Sequence, residues 1–288
     1  MLCMKKNQSG FSVIEIVGVL IVIGVIGLIG WQVMSRSDNK NSQTNNGSEV
    51  ENTSEGEQQF MWRQTAAGWE AQGDVPECPA QPMLKAPADL SKATSVLYPG
   101  QVRGGTSYKP HGGLRFNNST DNKITVTAPL DGYVIRGARN IVDGGTEVQY
   151  SFSIMNNCGV MITLGHLREL SPDLQKIAET FPQPTKSSAV QNVNPPVYIK
   201  QGTVLATKVG TLSDNNTFFD WGVTDYRQPN EASKSAAYQA AHGENNGKDT
   251  AWYAVCWLQG WLPIGDEAKL ASLPAGDPVS GKKSDYCK

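Results

Sequence analysis

The first 59 residues contain a long apolar run followed by an almost wholly polar one. Residues 16–31 are all apolar or glycine, and the run continues to Met34, which approaches the roughly 20 residues that cross a bilayer as a helix. Residues 35–59 contain mainly Asn, Ser and Glu and cannot bury enough apolar surface to offset the entropy of ordering. The pattern predicts a transmembrane helix over 11–34 and a flexible polar linker over 35–59.

Beyond this linker, short alternating runs replace the long apolar one. Residues 123–140 predict two strands around a Pro-Leu-Asp-Gly turn, and residues 146–167 predict a hairpin that turns at Asn156–Asn157. Residues 197–210 predict a strand, a Gly turn and another strand, and residues 217–225 predict one further short strand. Residues 171–181 have the one convincing pattern of an amphipathic helix, and residues 182–196 resemble a loop. We therefore expect a mainly β globular domain over 60–288, with an antiparallel sheet and few short helices.

Composition agrees with a loop-rich β protein and argues against a nucleic-acid partner. The chain of 288 residues contains 29 Gly and 16 Pro, and only 18% of its residues are charged. Its net charge is −2, and no basic stripe or block is present that would bind a phosphate backbone.

Five cysteines indicate an oxidising compartment for the globular domain. Cys3 precedes the apolar run, whereas Cys78, Cys158, Cys256 and Cys287 follow it. Four cysteines beyond a membrane span can form two disulfides in three connectivities. We favour a Cys256–Cys287 bond because it would restrain the C-terminal tail. The alternative is four separate buried thiols, and the lack of a CxxC pair argues against a cysteine zinc site.

The flanks of the apolar run predict its orientation. Lys5 and Lys6 precede it, so the N-terminus lies in the cytoplasm and the globular domain outside. A cleaved secretory signal is one alternative, but the sequence after Trp31 makes a poor cleavage site. A plain signal anchor is the other, and Glu15 argues against it because an unpaired carboxylate within an apolar span is costly.

The sequence KKNQSG followed by FSVIEI resembles the type IV prepilin signature. The resemblance implies that residues 1–10 are a leader, that a prepilin peptidase cleaves between Gly10 and Phe11, and that Phe11 is N-methylated. It also implies that Glu15 pairs with the N-terminal amine of a neighbouring pilin or pseudopilin subunit. The polar linker departs from ordinary pilins, whose apolar helix continues into the head, and favours a minor or tip subunit or a tethered domain.

Four stretches of the globular domain together resemble the lysostaphin-type (LytM-like) zinc endopeptidases. In chain order they are HGGLRF, TAPLDGYVIRG, ITLGHLREL and IKQGTVLATKVG. The resemblance covers about residues 100–225 and implies a compact antiparallel sheet domain. Residues 226–288 would then form a disulfide-stabilised C-terminal extension.

The metal-binding positions implied by this resemblance are only partly kept. His111 stands at the first ligand and His166 at the catalytic histidine. Arg115 replaces the aspartate ligand, while Phe218 and Asp220 replace the two histidines of a His-x-His pair. Too few donors remain to hold zinc or to activate water, so the resemblance implies a degenerate site with no catalytic residue, no metal and no cofactor.

The replacements suggest an internal ion pair. Arg115 and Asp220 have complementary charges at positions that would converge on the metal, so we predict that they pair beside His111. The alternatives are that Arg115 points to solvent and that Asp220 binds a different metal. His166 would otherwise be a strand histidine with a backbone partner, and His242 a loop residue.

The C-terminal region is rich in aromatic residues that permit two interpretations. Trp252, Tyr253, Trp257 and Trp261 could stack on carbohydrate or could fill the core around Cys256. A groove lined by these residues and Trp221 would be the place to bind glycan or peptide.

Three functions compete on this sequence. The first, which we favour, is a membrane-anchored, pilin-like protein of the cell surface, pilus or periplasmic side whose degenerate head acts in binding or assembly, with peptidoglycan as a candidate ligand. The second is an active zinc-dependent peptidoglycan endopeptidase with an altered metal site. The third is a pseudopilin-type secretion component whose head contacts only partner proteins.

Overall fold

A seven-stranded antiparallel sheet organises the part of the chain that the computed structural model describes, residues 59–65, 68–142, 147–186, 189–212, 216–242 and 248–288. The predicted mainly β fold with a large antiparallel sheet and few short helices is confirmed. The predicted leader, membrane helix and most of the linker lie outside the described residues. Among those described, no helix is long and apolar enough to cross a membrane.

The strands vary widely in length. They are, in chain order, β1 (Trp62–Thr65), β2 (Gly68–Ala71), β3 (Ser95–Leu97), β4 (Gln101–Arg103), β5 (Ser107–Lys109), β6 (Gly112–Arg115), β7 (Val126–Thr127), β8 (Gly132–Val142), β9 (Glu147–Met155), β10 (Val160–Leu167), β11 (Gln191–Ile199), β12 (Val204–Ala206) and β13 (Phe218–Asp225). The main sheet has the order β11–β8–β9–β10–β13–β6–β3, and the pairs β1–β2, β4–β5 and β7–β12 form separate small sheets.

The helices are short and lie around the sheet. They are α1 (Pro172–Glu179), α2 (Ala236–Ala241), α3 (Lys248–Tyr253) and α4 (Ile264–Ser272), with 3₁₀ turns at Leu90–Lys92 and Ala232–Lys234. The first is the predicted amphipathic helix: the Ser171 side chain caps it by accepting from Leu174 N, and Pro172 occupies its first turn.

One face of the main sheet builds the core, and the other is only partly covered. Alternate residues of β13 divide between them: Phe219, Trp221 and Val223 are buried in the main core, whereas Asp220 and Gly222 lie on the opposite face. We call that opposite side the open face.

A second apolar cluster seals one end of the open face. Tyr133, Met155 and Met161 pack there against Trp62 and Trp69 of the β1–β2 hairpin. The Trp62 indole donates to the carbonyl of Asn157 over 2.9 Å, so the hairpin is fixed to the β9–β10 turn. Beside this cluster, the open face presents the polar side chains of Arg136, Ser153 and Thr163.

The strands of two predicted consecutive pairs, β7 with β8 and β11 with β12, are present. Within each pair, however, the two strands do not pair with each other. β7 and β8 flank the predicted Pro-Leu-Asp-Gly turn, yet β7 pairs with β12 while β8 pairs with β9 and β11. Residues of that turn instead bond to the β11–β12 connection, where Gln201 N donates to Asp131 Oδ1 over 2.7 Å and the Gln201 side-chain amide donates to Pro129 O over 2.8 Å. β11 also begins at Gln191, within the stretch predicted to be a loop.

The C-terminal residues belong to the same core and are fixed by a disulfide. Trp257 and Trp261 are buried in the main cluster, which favours core filling over sugar stacking for these two side chains. Disulfides join Cys78 to Cys158 and Cys256 to Cys287. The favoured pairing is therefore present, and the alternative of four free thiols is wrong.

Candidate functional site

Asp220 is the centre of the most highly charged cluster on the open face. It lies in β13 opposite Gly113 of β6 and Gly165 of β10. A side chain at Gly113 would collide with the Phe219 carbonyl at 2.5 Å, and one at Gly165 would contact the Asp220 side chain at 3.4 Å. Because both neighbours lack a side chain, side chains of residues outside these pairing positions can reach the Asp220 carboxylate.

Three nitrogen-bearing side chains converge on this carboxylate. Arg103 Nη1 lies 3.3 Å from Oδ1, while Nε2 of His111 and Nε2 of His166 lie 3.1 and 3.3 Å from Oδ2. The Asp220 side chain is only 18% exposed. Burial by itself would raise its pKa, but His111 and His166 outweigh burial and hold the pKa well below the usual value. The carboxylate is therefore ionised.

Arg103 reaches the site from outside the main sheet. It ends β4, and its Nη2 atom donates to the carbonyl of His111 over 2.6 Å. Burial lowers its pKa from the usual value, and the charge and hydrogen bond of Asp220 oppose that shift. The guanidinium thus contacts both the carboxylate and the backbone at His111.

A bulge in β10 aims His166 at Asp220. Pairing with β9 shifts register between Leu164 and Leu167, and His166 adopts a φ of 59°. Its Nδ1 atom lies 2.6 Å from Gln149 Oε1, and the Gln149 amide donates to Gly210 O over 2.7 Å. That orientation of Gln149 requires a proton on Nδ1, so the ring is held with Nε2 toward the carboxylate.

The predicted ion pair between Arg115 and Asp220 is wrong. Arg115 lies opposite Phe218, and its guanidinium carbon is 5.9 Å from that ring centroid. Among the described residues, Arg103 is the arginine that pairs with Asp220. Arg115 instead packs beside Gly276 in the C-terminal region. A Cβ atom added at Gly276 would lie 3.2 Å from Arg115 Cδ.

Sequence reasoning missed Arg103 and misjudged the partner of His166. Arg103 lies outside the four stretches that resemble the peptidases, so no local signal singled it out. A backbone partner was expected for His166, yet its ring nitrogens face the side chains of Gln149 and Asp220. The resemblance placed His111, His166 and Asp220 at one site, and these three side chains do lie together.

These residues do not fit the zinc ion of the peptidases that the sequence resembles. The Arg103 guanidinium is a fixed positive charge 3.3 Å from the one carboxylate, and it would repel a cation. Arg115 and Phe218 occupy two positions where donors would be needed. Within the described part of the chain, no group of three or more His, Cys, Asp or Glu residues is arranged to hold a metal.

Two adjoining cavities make the open face a trough beside Asp220. One of about 280 Å³ is lined by residues including Asp220, His166 and Gln149, and the next, of about 310 Å³, extends toward Arg136. His111, Ser151 and Thr163 line both. Trp221 does not line this trough as predicted, because it is buried on the other face and stacks on Trp257 with centroids 4.0 Å apart.

The other predicted sites lie apart from this cluster. His242 follows α2 and stacks on Tyr108 with ring centroids 3.7 Å apart. Gly10, Phe11 and Glu15 lie outside the described residues, as does Cys3.

Comparison with known proteins assigns no family to the chain. No family model matches it, and no curated protein or solved structure matches it significantly. Any function must therefore be inferred from the residues of this chain.

Proposed function

We propose that this chain is a pilin-like, membrane-anchored protein of the cell envelope whose extracytoplasmic head is a non-catalytic domain used in binding or assembly. The N-terminal signature of Gly10, Phe11 and Glu15 supports processing by a prepilin peptidase and contact with pilin or pseudopilin subunits. The two disulfides of the head support an oxidising location.

The contact between Arg103 and Asp220 is the observation on which the non-catalytic assignment rests. A metallopeptidase needs a cation and an activated water at the position where its ligands converge. Here the carboxylate is paired with a guanidinium 3.3 Å away, and the rings of two histidines lie against its other oxygen. An internal charge network takes the place of a catalytic centre, and the domain keeps the trough beside it.

The lining of the trough supports binding of a polar polymer. Ser151 and Thr163 line both cavities, and Ser153 Oγ bonds to Thr163 Oγ1 over 3.0 Å. Hydroxyl groups of this kind bond to the amide and hydroxyl groups of a peptide or glycan. Peptidoglycan, which contains both, is the ligand we favour.

Metal content and wall binding test the proposal together. The full chain is purified in detergent with zinc in the buffer, and bound metal is measured per chain. We expect a ratio near zero and no peptidoglycan hydrolysis. Stoichiometric zinc that is lost in His111→Ala or Asp220→Ala, with hydrolysis of the wall, would establish the competing endopeptidase function instead.

Binding is measured by sedimentation with purified peptidoglycan. The variant Ser151→Trp fills the trough and should abolish co-sedimentation, whereas Thr120→Trp, at an exposed position in the loop after β6, should not. Equal sedimentation of both variants would contradict trough binding. A chain that assembles with pseudopilins yet never binds the wall would fit the secretion component instead.

A further inference from the structure

Arg103 is held at Asp220 by a hairpin that is not part of the main sheet. β4 and β5 pair only with each other, in a two-stranded sheet of their own. The position of the Arg103 side chain therefore depends on what fixes the hairpin to the body of the domain.

The C-terminal segment 277–287, which we call the strap, lies along this hairpin. Gln101 is 3% exposed, and its amide donates to the carbonyls of Gly281 and Lys283 over 3.2 and 3.1 Å. Asp285 N donates to Gly100 O over 2.8 Å, and Ser280 Oγ donates to the carbonyl of Val102. Successive residues of the first hairpin strand are thus bonded to the strap.

Both ends of the hairpin strand are also bonded to strap side chains. Asp277 Oδ2 accepts from Gly104 N over 2.9 Å, directly after Arg103. At the other end, Tyr286 packs on Gly100, where an added Cβ would lie 2.5 Å from its ring, and the Tyr286 hydroxyl donates to Pro110 O. The strap therefore contacts residues that precede Arg103 and residues that follow it in the chain.

A disulfide fixes the end of the strap. Cys287 bonds to Cys256, which precedes the fully buried Trp257. Both cysteines line a surface cavity of about 450 Å³, so a partner molecule can approach this bond. Apart from the packing of the Tyr286 ring on Gly100, the contacts of the strap with the hairpin described above are hydrogen bonds.

We propose that the strap is an autoinhibitory element that keeps Arg103 on Asp220, and that reduction of the Cys256–Cys287 disulfide releases it. A dithiol supplies two electrons and two protons, which gives two cysteine thiols and leaves the dithiol as a disulfide. The strap and hairpin then separate from the body, and Arg103 leaves the carboxylate. Asp220 is thereby exposed to the positively charged group of a ligand. This inference holds whether or not the chain is a pilin-like protein.

The first test compares the two disulfides in the full chain, purified in detergent. The variant Cys256→Ser/Cys287→Ser is compared with Cys78→Ser/Cys158→Ser by hydrogen exchange of residues 99–110 and by the rate of phenylglyoxal modification of Arg103. We expect both rates to rise about tenfold or more in the first variant, while β9 and β10 stay protected. In the second variant the hairpin should exchange as in the wild type.

A second pair of variants leaves both disulfides intact. Gly100→Ala would push the Tyr286 ring away, whereas Gly104→Ala meets nothing within 4 Å. Both glycines have positive φ, 71° and 57°, so backbone strain is matched. Faster modification of Arg103 in Gly100→Ala alone supports the strap. Unchanged Arg103 reactivity in a folded Cys256→Ser/Cys287→Ser overturns release by reduction, and unchanged reactivity in Gly100→Ala overturns the hold of the strap on Arg103. If the cysteine variant unfolds, the glycine pair decides whether the strap holds Arg103.

Discussion

Arg103 Nη1 contacts Asp220 Oδ1 over 3.3 Å, although the two residues lie in separate sheets. The carboxylate thereby gains a permanent positive partner, while the histidines face its other oxygen. Side-chain exposures of 13% for Arg103 and 18% for Asp220 mean that water screens this contact only in part. The pair links a small hairpin to the centre of the main sheet.

Loss of Arg103 should destabilise the domain more than loss of Arg115. Arg103→Ala leaves a largely buried carboxylate with fewer partners, so we expect the free energy of unfolding to fall by about 2 kcal/mol. Arg115→Ala removes the same charge but, among the described residues, no ion pair, and its contact with Phe218 is worth under about 1 kcal/mol. Urea unfolding measures both, and equal losses would contradict the assigned pair.

Asp220 should make the domain sensitive to acid. Its pKa is lowered in the folded state, so the unfolded chain binds more protons and stability rises with pH. The contribution is present above the unfolded pKa of about 4 and is lost as the pH falls through that value toward the folded pKa. In Asp220→Asn, the free energy of unfolding should vary less with pH in that window.

The matched control for this pH dependence is Asp173→Asn. It removes the same charge from a side chain that is 84% exposed on α1. Its pH profile should follow that of the wild type. A wild-type slope in Asp220→Asn would show that other groups account for the acid sensitivity.

Gly159 should be intolerant of a side chain because of the β1–β2 hairpin. In Gly159→Ala the new Cβ would collide with the Trp62 ring, whereas in Gly281→Ala it meets nothing within 4 Å. Both residues have positive φ, so each variant loses about 1–2 kcal/mol from backbone strain. The collision should add about 1–3 kcal/mol to Gly159→Ala alone. Thermal unfolding measures the loss of stability in both variants, and tryptophan fluorescence reports the loss of Trp62 burial.

Processing should occur between Gly10 and Phe11 in cells that contain a prepilin peptidase. Intact mass spectrometry should find a chain that begins at a methylated Phe11. Gly10→Val should remain unprocessed, because the cleavage position no longer matches the signature. Glu15→Gln should be cleaved normally but should fail to enter filaments, since it cannot pair with a neighbouring amine. Recovery of uncleaved wild-type chain would contradict the prepilin-like N-terminus.

Much of the local structure of the head could be predicted from short stretches of sequence. Alternating apolar residues predicted β8, β9, β10 and β13, because a strand that buries one face must repeat every second residue. Ser171 and Pro172 marked the start of α1. The Cys256–Cys287 pair also followed from position along the chain. These signals are local, so they can be read from short stretches.

Strand pairing and the surroundings of Asp220 could not be predicted in this way, because both depend on residues far apart in the chain. β7 and β8 are consecutive, yet β7 pairs with the distant β12 while β8 pairs with β9 and β11, since pairing depends on the burial of the whole sheet. Arg115 faces Phe218 because antiparallel register fixes its cross-strand neighbour. Arg103 reaches Asp220 from 117 residues away in the chain. A contact made through a separate hairpin and the C-terminal strap leaves no pattern in either local sequence.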